Sequence, residues 1–341
     1  MNQGGVMPAL DALVIWIGPA AACLLACGVW RRLARRLGMV DRPNHRSLHS
    51  VPVARGGGIP MAVVVALFLL LSPIDLDLAL WTGLALAAGL CLVSALDDRF
   101  GLPIRVRLLG HLVAAAVFSI LAIGVTLPLQ WVDGGLVLIC TLLIAWMLNL
   151  YNFMDGSDGL AAGQGLIGFA ALAILAAMSD APELIWPALA VSGACLGFLW
   201  WNFPPARLFL GDSGSVPLGF LAGAFMLYLV LEGGVAPWLV VLPFAPFWMD
   251  ASFTLLRRIL RGEAFWRAHR EHSYQHLVRS GAGHRRTALI GYTTMLAGGL
   301  GAVVGQMAPS TVVEVASFVA VISLIVSIGG WIRKRPLPDR R

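Results

Sequence analysis

LALWTGLALAAGLCLVSALDDRFGLPIRVR, residues 78–107, passes from an apolar to an aqueous setting within one short stretch. Residues 78–96 carry no charge, and Asp97, Asp98, Arg99, Arg105 and Arg107 follow them directly. A helix can sit in lipid because its own N–H and C=O groups satisfy one another, and crossing takes roughly 17–25 mostly apolar residues. The segment therefore reads as a spanning helix that ends in a carboxylate pair at a membrane surface.

Outward from it the same pattern recurs. Apolar runs at 8–30, 57–72, 78–95, 108–126, 134–153, 159–178, 184–203, 215–231, 235–256, 288–307 and 311–332 predict an all-α, polytopic integral membrane protein with about eleven transmembrane helices. The runs at 57–72 and 215–231 are short for a crossing and call for flanking residues or local thinning of the bilayer. Composition agrees: 59% of the 341 residues are hydrophobic and 12% charged, with mean hydropathy +0.82, whereas soluble domains carry about 25% charged residues.

Basic residues resist translocation, so they set orientation. With the N-terminus outside and the C-terminus inside, all 24 Lys and Arg fall on the inner side, in 31–55, 99–107, at 207, in 257–286 and in 333–341. The opposite loops are short and acidic, with Asp75, Asp77, Asp133, Asp180, Glu183 and Glu232. Arg31, Arg32, Arg35 and Arg36 follow the first apolar run and no basic residue precedes it, the reverse of a secretory signal, so that run is expected to remain as an anchor. The net charge of +6 lies beside helix ends, which points to anionic membrane lipids and away from nucleic acid. Cys23, Cys27, Cys91, Cys140 and Cys195 all fall within spans, as small packing residues do, and suggest no disulfide framework.

Charges next to apolar helices are costly and mark function. Asp97 and Asp98 end one span, Asp155 and Asp158 follow another in LNLYNFMDGSDGL, and Asp212 precedes a third in RLFLGDSGS. Three separate loops thus deliver carboxylates to one surface. Like charges about 4 Å apart repel by about 4 kcal/mol at an effective dielectric of 20, a strain that a cation relieves. Hard oxygen ligands favour Mg²⁺, with Mn²⁺ as the alternative. A single aspartate is better read as a helix cap or an arginine partner, but the three acid-bearing blocks together are not. Gly56, Gly57, Gly58, Gly156, Gly159, Gly211 and Gly214 let backbone approach a ligand, and helix starts after Gly58, Asp158 and Ser213 are expected to offer free N–H groups to phosphate. All seven histidines also fall on the inner side. His45, Arg46 and Arg55, with the histidines and arginines of FWRAHREHSYQHLVRSGAGHRR, form a candidate clamp for phosphate, while His49 and His284 read better as solvated loop residues.

Four ordered blocks, HRSLHSVPVARGGG, LDDRFGL, NLYNFMDGSDGLAAGQG and FLGDSGS, followed by a His-bearing loop before the last two spans, resemble the polyprenyl-phosphate N-acetylhexosamine-1-phosphate transferase family over nearly the whole chain. The resemblance implies one transmembrane catalytic domain over 1–341, with inner loops near 31–56, 96–107, 154–158, 204–214 and 257–287 forming the active site. It implies transfer of a sugar 1-phosphate from a UDP-N-acetylhexosamine to undecaprenyl phosphate in the bacterial inner membrane, with release of UMP and a requirement for Mg²⁺. By likeness to the family's acid pair, Asp97 is the base or proton acceptor for the lipid phosphate and Asp98 supports it. Asp212 is implied as principal metal ligand and Asn152 as a second. Asn149, Asp155 and Asp158 resemble nucleotide-site residues, and His45, Arg46, Arg55 and His272 would contact phosphates or sugar.

The run His272-Ser273-Tyr274-Gln275-His276 departs from the His-x-His-His segment of the enzymes in this family that use UDP-N-acetylglucosamine. It looks more like the O-antigen branch that handles 6-deoxy amino sugars such as N-acetylfucosamine or N-acetylquinovosamine, and it makes Tyr274 a candidate sugar contact. UDP-N-acetylglucosamine is the alternative donor, and an ion-coupled transporter is the alternative class. Transporters place such acids near the midplane and show paired halves, neither of which is evident here. Self-association to a homodimer is left open.

Overall fold

The computed structural model describes residues 9–43, 48, 51–72, 75–127, 134–263, 269–308 and 310–337. His45, Arg46 and His49 lie outside them. The chain is almost entirely helical: α1 Ala9–Arg36, a two-strand ribbon of β1 Val40–Asp41 and β2 Val53–Ala54, then α2 Gly58–Leu71, α3 Leu78–Phe100, α4 Ile104–Thr126, α5 Gly134–Phe153, α6 Leu160–Ala177, α7 Ile185–Asn202 and α8 Asp212–Leu231. Beyond these lie α9 Pro237–Val240, α10 Ala245–Leu260, α11 Ser273–Leu277, α12 Gly283–Met307 and α13 Thr311–Arg333. Among the described residues, ten helical stretches are long and apolar enough to cross a membrane, and the eleventh expected span is the shorter α2. At 1.5 Å per residue its 14 residues reach about 21 Å, less than the roughly 30 Å hydrocarbon core.

Two details differ from the sequence reading. The ninth span, expected as one run over 235–256, is α9, a 3-10 turn at Leu242–Phe244 and α10, because Pro243 and Pro246 cannot donate the helical N–H bond at the break. Helices α1 and α3 also run further than expected, so Arg31 to Arg36 and Asp97 to Phe100 lie on helical turns. The ends of the bundle alternate as antiparallel crossings require. Away from the acidic blocks, Tyr228 donates to Asp77 (2.5 Å), Thr126 to Glu232 (2.5 Å) and Trp238 to Glu314 (3.2 Å).

Without a hydrophobic force between helices in lipid, close backbone approach supplies much of the packing. A Cβ on Gly193 or Gly197 of α7 would stand 2.2 or 2.1 Å from the carbonyl oxygens of Trp16 and Ala20 on α1. Gly219 and Gly223 bring α8 onto the backbone of α5 at Leu148 and Ile144 in the same way. Helix α8 is the axis of the bundle, with 83% of its apolar stretch buried, against 11% for the peripheral α13. At its start, a Cβ on Gly58 would lie 2.2 Å from the Gly214 backbone. Because backbone cannot yield as a flexible side chain does, Gly58→Ala is expected to cost about 1–3 kcal/mol. Thermal unfolding in detergent checks this against Gly89→Ala, whose Cβ meets nothing within 4 Å and which should unfold like the parent.

Candidate active site

Helix α3 ends in a turn capped by Gly101 (φ +68°), whose N–H donates to the Asp97 carbonyl (2.8 Å). The Asp97 side chain accepts the Leu102 N–H at Oδ1 (2.7 Å) and Arg107 at Oδ2 (2.9 Å). Arg107, on the first turn of α4, also reaches Asp212 Oδ2 at 3.4 Å, so one guanidinium joins the acids of two blocks. Arg55 pairs with Asp98, whose side chain is only 1% exposed and whose Oδ2 has no hydrogen-bond partner among the described residues. Gly211 at φ +74° starts α8 and comes so close that a Cβ there would stand 2.9 Å from that oxygen.

Backbone bonds between loops hold this arrangement. Phe209 N–H donates to Ala54 O (2.8 Å), and Gly57 and Gly58 N–H donate to Phe209 O (2.9 Å) and Leu210 O (3.1 Å). The N–H groups of Gly57 and Gly58 therefore tie loops together at the start of α2, where the sequence had suggested free donors for phosphate. Asn202, buried at the end of α7, accepts the Gly159 N–H (2.9 Å) and donates to Leu208 O (3.0 Å). Asp158 Oδ2 accepts the Ala206 N–H at 2.9 Å. The 53–58, 155–160 and 206–212 segments thereby become one surface.

That surface encloses a polar cavity of about 280 Å³, lined among others by Arg55, Asn152, Asp155, Asp158 and Asp212. Two cavities of similar size, one among α10, α12 and α13 and one among α2, α3, α7 and α8, are lined mainly by apolar side chains, although Asp250, Arg257, Tyr274 and Arg333 line the first. Burial, followed by the carboxylates of Asp212 and Asp98, pushes the Asp155 carboxyl well above the usual carboxylate range. Negative charge is thus crowded in this pocket although two arginines offset part of it. Asn152 presents its amide oxygen, which accepts from Ser215 Oγ (3.3 Å). Among the described residues no three His, Cys, Asp or Glu side chains form a ready-made metal cage. Mg²⁺ is commonly held by one or two carboxylates, with substrate phosphates and water completing its shell. An all-oxygen set of Asp212, Asn152 and the unpartnered Asp98 Oδ2 fits that habit.

Other residues singled out in the sequence lie beside the cavity. Asn149 sits one turn back on α5, donating to Ala145 O (2.7 Å). His272 and Tyr274 are buried: Tyr274 donates to Phe153 O (3.0 Å), and a Cβ on Gly156 would lie 2.2 Å from its hydroxyl. His272 stacks near Phe153, Tyr274 and His269. Burial, then His272 and Arg258, pushes the His269 imidazole down to about 4, and burial also lowers His272. Burial thus disfavours the charged form of both rings.

Several residues that matter here were not marked by the sequence. Gln275 and His284 line the cavity, Arg107 bridges two acids, and Asn202 ties two loops. Asp250, inside an expected span, accepts the N–H groups of Ser273 (2.7 Å) and Tyr274 (3.2 Å) and so caps α11. An acid within an apolar run was the available signal for Asp250; Gln275 and Asn202 offered none.

A multi-span bundle with one acidic, arginine-balanced cavity at the end of its helices defines a membrane-embedded protein with a built polar site. Residues 80–230 match glycosyl transferase family 4. A probable undecaprenyl-phosphate N-acetylglucosaminyl 1-phosphate transferase of Bacillus subtilis (strain 168) is 30% identical over 295 residues, covering 82% of this chain and 81% of the relative. A decaprenyl-phosphate N-acetylglucosaminephosphotransferase of Mycobacterium tuberculosis (strain ATCC 25618 / H37Rv) is 30% identical over 335 residues, with 85% and 81% covered. An undecaprenyl-phosphate alpha-N-acetylglucosaminyl 1-phosphate transferase of Yersinia pestis is 28% identical over 282 residues, with 77% and 75% covered. The chain belongs to glycosyl transferase family 4, and it is a transferase of the membrane.

Proposed function

We propose that the protein transfers an N-acetylhexosamine 1-phosphate from a UDP-sugar to undecaprenyl phosphate, releasing UMP, to start an O-antigen or another cell-envelope polysaccharide. The observation that carries this reading is the convergence of Arg55, Asp155, Asp158 and Asp212 from separate loops on one polar cavity at the bundle's end, with Asp98 tied to it through Arg55, and Asp97 through Arg107, which also reaches Asp212. A lipid acceptor can present its headgroup there while its chain stays in the bilayer. The excess of basic residues at that end supports a cytoplasmic site in a bacterial inner membrane, with the N-terminus outside and the C-terminus inside.

In the reaction an oxygen of the lipid phosphate attacks the β-phosphorus of the UDP-sugar, and the bond from that phosphorus to the bridging oxygen breaks, so UMP departs. Such transfer relies on in-line positioning and charge neutralisation more than on covalent help from protein. Asp212, with Asn152 and Asp98 beside it, would hold Mg²⁺, which neutralises charge on the pyrophosphate when bound. Arg55 and Arg107 are placed to meet phosphate oxygens. Asp155 and Asp158 face the nucleotide half of the pocket, and Asp97 acts from the acceptor side. His45 and Arg46 remain proposed phosphate contacts on the strength of their sequence block, and Asn149 a proposed nucleotide contact.

For the donor we infer a 6-deoxy sugar, UDP-N-acetylfucosamine or UDP-N-acetylquinovosamine, from Tyr274 standing where an imidazole is usual. The names of the relatives favour UDP-N-acetylglucosamine as the second reading. Tyr274 lies under Gly156 and next to Gln275, both of which line the cavity, so it can shape the floor on which a sugar rests. Release of labelled UMP from a panel of UDP-N-acetylhexosamines, dependent on polyprenyl phosphate and Mg²⁺, tests the reaction and separates it from ion-coupled transport. In the same panel Tyr274→His is expected to shift the ratio of kcat/KM between 6-deoxy and 6-hydroxy donors by about tenfold, the effect of roughly 1.4 kcal/mol. An unchanged ratio would take sugar selection away from this residue.

A further inference from the structure

We infer that His284 is a positioning residue of the donor pocket, a neutral imidazole strap between the Leu48 backbone and the loop that carries Asp155 and Asp158. The sequence suggests nothing of the kind, since His284 lies in a basic run beside Arg285 and Arg286. Gly283 at φ +70° turns the chain into α12, and His284 on its first turn contributes to the cavity wall with its side chain 20% exposed.

The hydrogen bonds identify the tautomer. Nδ1 lies 3.2 Å from the Asp158 backbone nitrogen and 3.0 Å from Ser157 Oγ. A backbone N–H can only donate, so Nδ1 carries the lone pair and the Ser157 hydroxyl donates to it as well. The ring proton is then on Nε2, which lies 3.2 Å from the Leu48 carbonyl oxygen, an acceptor only. Partners on opposite sides of the ring thus select the same neutral form.

The strap matters because of what it holds. Asp158 is fixed on its other side by the bond from its Oδ2 to Ala206 N–H. With His284 gripping the backbone at 157–158, the loop is pinned from two directions, and Asp158 Oδ1 stays 3.6 Å from Nδ1. The ring makes no direct contribution to phosphoryl transfer in this scheme; it acts through the placement of Asp158 and Asp155. A loss should therefore appear in donor binding and leave the chemical step nearly intact.

The test uses the purified full-length protein in detergent and rests on the proposed reaction for its kinetic arm alone. His284→Ala should raise the KM for the UDP-sugar about tenfold with kcat within about threefold of the parent. His284→Gln has one group that accepts and one that donates, and should stay within about threefold in both constants. Amide hydrogen exchange without ligand gives the independent arm: residues 155–160 should exchange faster in His284→Ala and at the parental rate in His284→Gln. If His284→Ala gives no folded protein, His284→Met, which keeps bulk and loses the donor, is read in its place. An unchanged KM together with unchanged exchange, or a glutamine variant as impaired as alanine, overturns the assignment. Should the parent turn over no UDP-sugar, exchange alone decides: restored protection in His284→Gln upholds the strap although the reaction has failed.

Discussion

Asp212→Asn is expected to lower turnover by at least about a thousandfold at millimolar Mg²⁺ while leaving the bundle folded. A loss of that size is about 4 kcal/mol of transition-state stabilisation, in the range that removal of one well-placed electrostatic group produces. Asparagine keeps the shape of the side chain and removes its charge, so the effect isolates what the carboxylate does. In the fold Asp212 has little to hold: among the described residues its one ion pair is the 3.4 Å approach of Arg107, and its side chain, which lines the cavity, is 26% exposed. In the proposed reaction it has much to do, since it lines the cavity together with Asn152 and its side chain is more exposed than those of Asp97, Asp98 and Asp158. Release of labelled UMP by purified protein measures the loss, and circular dichroism establishes that helix content is unchanged. Activity within threefold of the parent would remove Asp212 from the metal site and leave the acidic cluster without its central member.

Much of the architecture was legible because the membrane imposes one rule on every span. Apolar runs bounded by charge marked the helices of 78–100, 104–126 and 311–333 to within a few residues, apart from the last turn of the first. The extension of α3 past its carboxylate pair to Phe100 was hidden because a helix turn at the interface tolerates charge. The break between α9 and α10 was written in Pro243 and Pro246, but apolar residues around them mask it when hydropathy alone is read. Asp250 inside that run was the clue, since an acid at that depth needs partners, and it has them in the N–H groups at the start of α11.

The site was legible where residue type carries chemistry and hidden where distance confers it. Three acid-bearing blocks announced themselves, and Arg55, Asn152, Asp155, Asp158 and Asp212 do line one cavity. Arg107 looked like one more basic residue on the inner face until it was seen to join Asp97 to Asp212. Asn202 and Gln275 are ordinary amides whose meaning comes from residues far away in the chain. His272 is a buried ring stacked near Tyr274, while His284, read as a solvated residue, sits in the pocket wall. Spacing along a loop does not say which side chains turn inward; Gly156 settles that for Tyr274, because any larger residue would occupy the place of its hydroxyl.

Asp97→Asn is expected to cut turnover about a hundredfold while the Kd for the UDP-sugar stays within about threefold, a loss of roughly 2.7 kcal/mol confined to the acceptor half of the reaction. Both oxygens of Asp97 are engaged, one by the Leu102 N–H and the other by Arg107. Asparagine can keep the first bond through its carbonyl oxygen but loses the charge that pairs with the second. Without that charge Arg107 is expected to lean toward Asp212, its other partner, offsetting the negative charge a cation would need. A phosphate monoester has its second pKa near 6, so the lipid phosphate is mostly dianionic at neutral pH and needs little proton removal. In the proposed reaction the carboxylate would therefore serve chiefly to aim the Arg107 guanidinium at that phosphate, with proton acceptance as a lesser role. Isothermal titration with the UDP-sugar and steady-state assays at varied polyprenyl phosphate separate the halves. A raised acceptor KM with intact donor binding supports aiming by Asp97; an equal loss in donor affinity would place this residue on the nucleotide instead.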